Sequence, residues 1–171
     1  MSLANVKILF AYNTWATQKI LSQLAHITQE QYTAPAYVPF GSLRGTLVHT
    51  ISAQRIWRSR FQEQISPTAH LAETDYPDVE ALFALWQNER DLLDAYLETL
   101  SDAVLLQNID YLNTKGVPFS LPLHHILTHM VNHGTQHRSE AAILLTEYGR
   151  SPGDLDYIYY VIDNPDRRDD L

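Results

Sequence analysis

The stretch Leu121-Pro-Leu-His-His-Ile-Leu-Thr-His-Met-Val-Asn-His-Gly-Thr-Gln-His-Arg-Ser-Glu-Ala-Ala-Ile-Leu-Leu-Thr-Glu-Tyr148 decides how this chain is read. Leu123, Leu127, Met130, Gly134, Ala141 and Leu145 fall on one stripe when residues are placed about 100° apart, the repeat of an α-helix. Gly149 and Pro152 supply stop signals just beyond it. The same segment carries His125, His129, His133 and His137 at i, i+4 spacing, four of the chain's eight histidines. Helical residues four apart have Cβ atoms about 5–6 Å from one another, which suits two imidazoles binding one metal ion. A catalytic zinc usually takes three protein ligands and keeps a fourth position open. The question is therefore which of these histidines chelate, and where a third ligand comes from.

The helical projection ranks the four. His133 and His137 lie on the flank of the apolar stripe, turned towards the core. His129 is rotated further out, as a candidate for supporting a ligand or lining a channel, and His125 sits at the edge of the polar face. The alternative is a solvated histidine stripe that takes up metal adventitiously. Two metal motifs are excluded. Gly134 occupies the place of the general-base glutamate in H-E-x-x-H, and no Glu-x-x-His occurs to build a ferritin-like di-iron site.

Outward from this segment, three more long helices are predicted. Leu3 to about Ala25 has Val6, Leu9, Phe10, Ile20, Leu21 and Leu24 at helical spacing. After a loop with Pro35 and Pro39, Ser42 is a candidate N-cap for a helix from about Leu43 to Ile65. Pro67 to Pro77 is a connection, and Pro77-Asp78 reopens a helix that reaches Leu100. Ile109, Tyr111, Val117 and Phe119, flanking Asn113-Thr-Lys-Gly116, predict a short two-stranded hairpin. The last long helix is placed from about Leu121-Pro122. Leu155 to Ile162 reads as a short packed helix, though its aromatic and β-branched content also permits a strand. The charged tail, residues 164–171, is expected to fray. The expectation is an all-α chain: a single domain over 1–171, a four-helix bundle with a β-hairpin insertion and a short C-terminal helix.

Composition narrows the function classes. With 20 acidic against 12 basic residues the formal charge is −8. Such a surface repels phosphate backbones and argues against nucleic-acid binding. No apolar run is long enough to span a bilayer, and the N-terminal residues lack the regions of a signal peptide, so a soluble, cytoplasmic protein is expected. Cysteine is absent, which removes disulfides, thiolate nucleophiles and cysteine-rich zinc sites.

Periodicity alone does not single out His49, which lies off the main stripe of Leu43, Leu47, Ile51 and Phe61, with Ala53 and Ile56 on its side. A resemblance does. Leu47-Val-His49 with Trp57 two turns on, followed by His129-Met-Val-Asn132-His133-Gly-Thr-Gln-His137-Arg138, resembles the DinB/YfiT-like family of metalloenzymes. The likeness covers nearly the whole chain, including Tyr12, Asn13 and Trp15 of the opening helix. It implies a bundle of unusual connectivity binding one divalent metal ion through His49, His133 and His137, and a homodimer. It also implies chemistry on small molecules, because the best understood relatives are bacillithiol and mycothiol S-transferases and a mycothiol-dependent maleylpyruvate isomerase. Gln136 stands where many relatives carry another histidine, a departure that leaves the three ligands in place.

The leading functional expectation is a metal-dependent S-transferase taking a low-molecular-weight thiol as cofactor. A thiol that coordinates a metal is deprotonated, and the absence of cysteine fits a sulfur that arrives with the cofactor. Zinc is the default ion, with nickel and iron also accepted by imidazole ligands. Ligand histidines need acceptors for their far N–H groups. Glu140, one turn beyond His137, is a candidate partner or acid/base against the ordinary reading of a surface carboxylate. Two rivals use the same residues: a hydrolase employing metal-bound hydroxide, and a stress-induced dimer that binds metal without turnover. Arg138 is expected in a salt bridge or dimer contact, and Arg55, Arg58 and Arg60 on a solvated face, with a carboxylated thiol as the alternative partner in both cases. Trp15, Trp57 and Trp86 are expected as packing anchors. Tyr157, Tyr159 and Tyr160 either cover the bundle end or line the site entrance.

Overall fold

Side-chain caps set where the helices begin, as the serine, threonine and aspartate positions require. In the computed structural model, which describes residues 1–164, Ser2 accepts from the Asn5 backbone N–H and opens α1 (Leu3–Leu24). Thr28 and Gln31 form a capping box on the short α2 (Gln29–Thr33). Ser42 accepts from the Gly45 N–H at 2.9 Å and opens α3 (Leu43–Arg58), and Asp78 accepts from the Ala81 N–H at 2.9 Å and opens α4 (Val79–Glu98). A four-residue helix, α5 (Asp102–Leu105), leads into the hairpin of β1 (Asn108–Leu112) and β2 (Pro118–Pro122). Then come α6 (Leu123–Glu147) and α7 (Tyr157–Asp163). Helix α6 ends in a Schellman arrangement: Gly149 takes φ +71°, its N–H reaches the Thr146 carbonyl, and the Arg150 N–H reaches the Leu145 carbonyl at 2.8 Å.

The fold is an all-α bundle with one small antiparallel hairpin, as the patterning predicts. Helix α6 packs against both α1 and α3, while α4 packs against the other sides of α1 and α3. Consecutive long helices α1 and α3 thus face each other across a diagonal, which accounts for the long connection through α2. The interior divides into two apolar clusters. One gathers Val6, Phe10, Leu97, Leu123 and Leu127 near the hairpin end, and the other gathers Ile20, Leu24, Leu47, Leu82 and Leu145 at the opposite end. Between them each long helix contributes polar residues, among them Asn13, Arg58, Glu89, His133, His137 and Arg138. This polar waist is where chemistry can occur.

Several boundaries differ from the sequence reading. Leu121 and Pro122 still pair with Ile109 and Asn108 in the hairpin, so α6 starts only at Leu123. Helix α3 gives way to a π-helical turn over Ser59–Glu63, ending at Gln64 in the left-handed region. The extra residue in that turn breaks the regular 3.6-residue projection. Neither Arg60, within that turn, nor Arg58, still on the regular helix and facing Glu89 of α4, is solvated: they are 5% and 4% exposed. Helices α2 and α5 are too short to show periodicity. Helix α7 confirms the helical alternative for its segment and covers the bundle end: Tyr12 meets Tyr157 and Tyr160 edge-on and donates through its hydroxyl to the Leu155 carbonyl at 3.0 Å. The tail expected to fray lies, apart from Asn164, outside the described residues. Among those described, no helix is long and apolar enough to cross a membrane.

Arg58 bridges α3 and α4. Its Nε donates to Glu89 at 2.9 Å, and its Nη1 meets Glu63 at 2.5 Å, with Arg58 and Glu89 both buried. Removing one partner of a buried pair leaves an uncompensated charge, at a typical cost of 3–5 kcal/mol. Glu89→Ala is expected to cost about 3 kcal/mol, the lower end because Glu63 stays in place, measured as a shift in the urea unfolding midpoint.

Candidate metal centre

Two i, i+4 positions on α6 and one on α3 converge at the waist. The ring nitrogens of His49, His133 and His137 that face inwards all lie within 4.8 Å of one another. His133 Nε2 and His137 Nε2 are 3.1 Å apart, and the His49 ring centroid lies 5.3 Å and 4.9 Å from those of His133 and His137. Glu140 Oε2 accepts from His137 Nδ1 at 2.8 Å. That bond keeps the proton on Nδ1 and leaves the Nε2 lone pair facing His133. Glu140 is therefore more than the surface carboxylate of the ordinary reading.

This donor set fits one metal ion. Imidazole nitrogens bind zinc at about 2.0–2.1 Å, so two of them on one ion lie no more than about 4.2 Å apart. The His133–His137 separation falls inside that limit, and the widest separation in the trio exceeds it by less than about 1 Å. Burial, with help from the neighbouring His70, His137 and His133, holds the His49 imidazole down at about 3. Burial, then His137, His129 and His70, holds His133 down at about 4. Both rings are neutral at pH 7, the state in which imidazole ligates a metal.

The connection before α3 shapes the other side of the site. A Cβ at Gly45 would come 2.1 Å from the Phe40 carbonyl oxygen. Glycine in the first turn of α3 thus lets the preceding loop fold tightly back over the helix. Phe40 then stacks on His49, with ring centroids 3.6 Å apart and planes 14° apart, and meets His137 edge-on at 5.3 Å. His70, on the connection after α3, brings its ring to 4.7 Å from that of His49, and its Nδ1 lies 3.1 Å from the Ser52 hydroxyl. Sequence reading does not find Phe40 or His70, because both sit on irregular backbone with no periodic signal. A cavity of about 290 Å³ opens beside His49, lined by Phe40, Val48, His70 and Leu71.

The other candidates are placed as follows. His129 stands outside the trio with its ring 5.5 Å from that of His133 and edge-on to Trp57 at 5.3 Å. His125 stays at the surface beside His124. Arg138 corrects the expectation of a salt bridge or dimer contact. It is 4% exposed and points into the bundle, where it donates to Asn13 and Thr17 of α1 and to Thr135 at 2.9 Å. Its side of α6 does lie away from the histidine pair, but that side faces α1 rather than solvent. Gly134 makes room for this contact, since a Cβ there would sit 2.8 Å from both Arg138 Nη1 and Asn13 Oδ1.

Depressed imidazoles make the metal-free protein sensitive to acid. Between their lowered native values and the ordinary 6.5, the unfolded chain binds more protons than the folded one. Stability is complete above about 6.5 and declines as pH falls towards about 4. Urea titrations of metal-free protein across this window are expected to show the decline, with a shallower slope in His49→Gln.

The DinB family model matches residues 1–167. Protein DinB of Bacillus subtilis (strain 168) is 26% identical over 162 residues, covering 90% of this chain and 91% of that protein. The chain belongs to the DinB family.

Proposed function

We propose that this DinB-family chain holds one divalent metal ion on His49, His133 and His137 and transfers a low-molecular-weight thiol to small electrophiles. The observation that carries the reading is the convergence of three imidazoles beside a small-molecule-sized cavity. The resemblance to thiol-dependent relatives and the absence of cysteine favour thiol transfer over other chemistry of such a site. When bound, the ion supplies Lewis acidity that brings a thiol's pKa into the neutral range. Zinc is the expected ion, with nickel and iron compatible with the same ligands.

The chain's own residues divide the remaining work. Glu140 holds the Nδ1 proton of His137 and so keeps Nε2 available as a ligand. Its Oε1 is the candidate acceptor for the thiol proton, after which sulfur bonds to the electrophilic carbon and the leaving group departs. Phe40 fixes the plane of His49 by stacking and excludes water from that face. The apolar wall of Phe40, Val48 and Leu71 suits an uncharged electrophile. A homodimer and a cytoplasmic setting complete the reading.

Zinc-loaded protein is expected to conjugate monochlorobimane in the presence of at least one member of a thiol panel, with loss on chelation and recovery on adding metal. His49→Ala, His133→Ala and His137→Ala should each lose bound zinc by elemental analysis and at least ~100-fold in kcat/KM, since losing even a residue that only supports a ligand costs up to about that much. Turnover surviving all three substitutions would reject the site, and turnover without thiol would point to hydrolysis instead. Glu140→Gln is expected to retain folding while weakening zinc affinity about 10-fold, read by competition with a chromophoric chelator.

A further inference from the structure

His70 sits on the connection after α3, and its ring is oriented by the same helix that carries His49. Ser52, one turn beyond His49 on α3, is 1% exposed. Its hydroxyl oxygen accepts from the Leu71 N–H at 2.9 Å and lies 3.1 Å from His70 Nδ1. The Ser52 hydroxyl has no other partner among the described residues. A buried hydroxyl proton without an acceptor is costly, so the Ser52 O–H donates to Nδ1. A ring nitrogen that accepts carries no proton, which places the proton of the neutral imidazole on Nε2. That Nε2–H has no partner among the described residues.

The ring so oriented forms part of the wall of the cavity of about 290 Å³ beside His49, and its centre is 4.7 Å from that of His49. The rest of the lining says what the donor can meet. Phe40, Val48 and Leu71 contribute apolar side chains, and the Leu71 N–H is already given to Ser52. Glu73 contributes a carboxylate that accepts from the Ser42 hydroxyl at 3.2 Å and meets Arg44 at 3.4 Å. It offers only acceptors, and its charge disfavours an anion in the same small space. The cavity thus suits a molecule that is apolar over most of its surface, uncharged, and able to satisfy one N–H donor. A carbonyl compound has these properties, since its oxygen accepts a hydrogen bond without carrying a charge.

We propose that His70 is a substrate-binding donor, its Nε2–H meeting the carbonyl oxygen of an uncharged electrophile in the cavity it shares with His49. The proposal rests on this cavity being where the electrophile enters, and it narrows that electrophile to carbonyl-bearing compounds. Ser52 acts through His70 as a positioning residue, because it sets which ring nitrogen carries the proton.

The test uses acetophenone and α-methylstyrene, which share one shape and differ in the carbonyl oxygen, replaced in the second by a methylene group. Their affinities are compared by NMR titration of zinc-loaded protein and of metal-free protein, where no ion competes for the oxygen. The affinity ratio in favour of acetophenone is expected to fall about 5-fold in His70→Phe, the usual worth of one neutral hydrogen bond. It should fall less in His70→Gln, which keeps an N–H donor. Long-range proton–nitrogen spectra of wild type should show His70, assigned by its absence in His70→Phe, protonated on Nε2. Ser52→Ala should lose that preference, and the wild-type Nε2 signal should move along the acetophenone binding curve. A ratio unchanged in His70→Phe, a proton on Nδ1 in wild type, or an Nε2 signal unmoved by saturating acetophenone would each overturn the proposal. Conjugation of monochlorobimane, measured alongside, separates the two readings. Acetophenone held by His70 without conjugation by any thiol sinks thiol transfer and keeps the binding donor, whereas conjugation with an unchanged ratio does the reverse.

Discussion

Everything in this fold answers to the convergence of three imidazoles, one buried and two half-buried, in the middle of a helical bundle. Polar ring nitrogens away from water cost several kcal/mol unless they find partners. The bundle meets that cost locally. His137, 4% exposed, has Glu140 on one nitrogen and faces His133 with the other. The two apolar clusters on either side provide the cohesion that a polar waist lacks. A cavity of about 30 Å³ on the inner side of His133, bordered by Asn13, Thr17, Thr50 and Gln54, has the polarity and room for a water-sized partner. A metal ion would turn the remaining lone pairs from a cost into a gain, since ligands preorganised by folding bind without paying to be assembled.

Three buried guanidiniums near the waist show that burial alone does not define a role. Arg58 is neutralised by two carboxylates and ties α3 to α4. Arg138 is solvated by the neutral oxygens of Asn13, Thr17 and Thr135 and ties α6 to α1, in space that Gly134 keeps open. Arg60 has aromatic faces and no acceptor. Partnering, more than depth, separates the three.

The long helices were legible because each combines an apolar stripe with a cap or stop residue: Ser42, Asp78 and Gly149 all act where their chemistry places them. His133 and His137 were legible for the same reason, since a helical projection orients side chains on one element. It cannot say which neighbour lies on the remaining faces. Arg138 was misjudged on that account, its outward side being covered by α1. Arg60 was misjudged because the π-helical turn at Ser59–Glu63 rotates it out of regular register. His49 could be reached only through the resemblance, and Phe40 and His70 not at all, for loop residues reach a site through tertiary folding that leaves no repeat in the sequence.

The resulting site is stiff on one side and adaptable on the other. His133 and His137 share one long helix and are braced by Glu140 on the same helix, so their spacing can change little without unwinding α6. His49 is held by a stacked ring from the loop before α3 and touched by a ring from the loop after it. Loops open at lower free energy than packed helices, and the cavity of about 290 Å³ beside His49 lies on this side. Adjustment to a ligand therefore falls to Phe40 and His70, with Gly45 setting how closely the first of them can approach. A bundle arranged this way can keep one ligand geometry while its relatives change what enters, because the elements that meet the ligand are not the ones that hold the fold together.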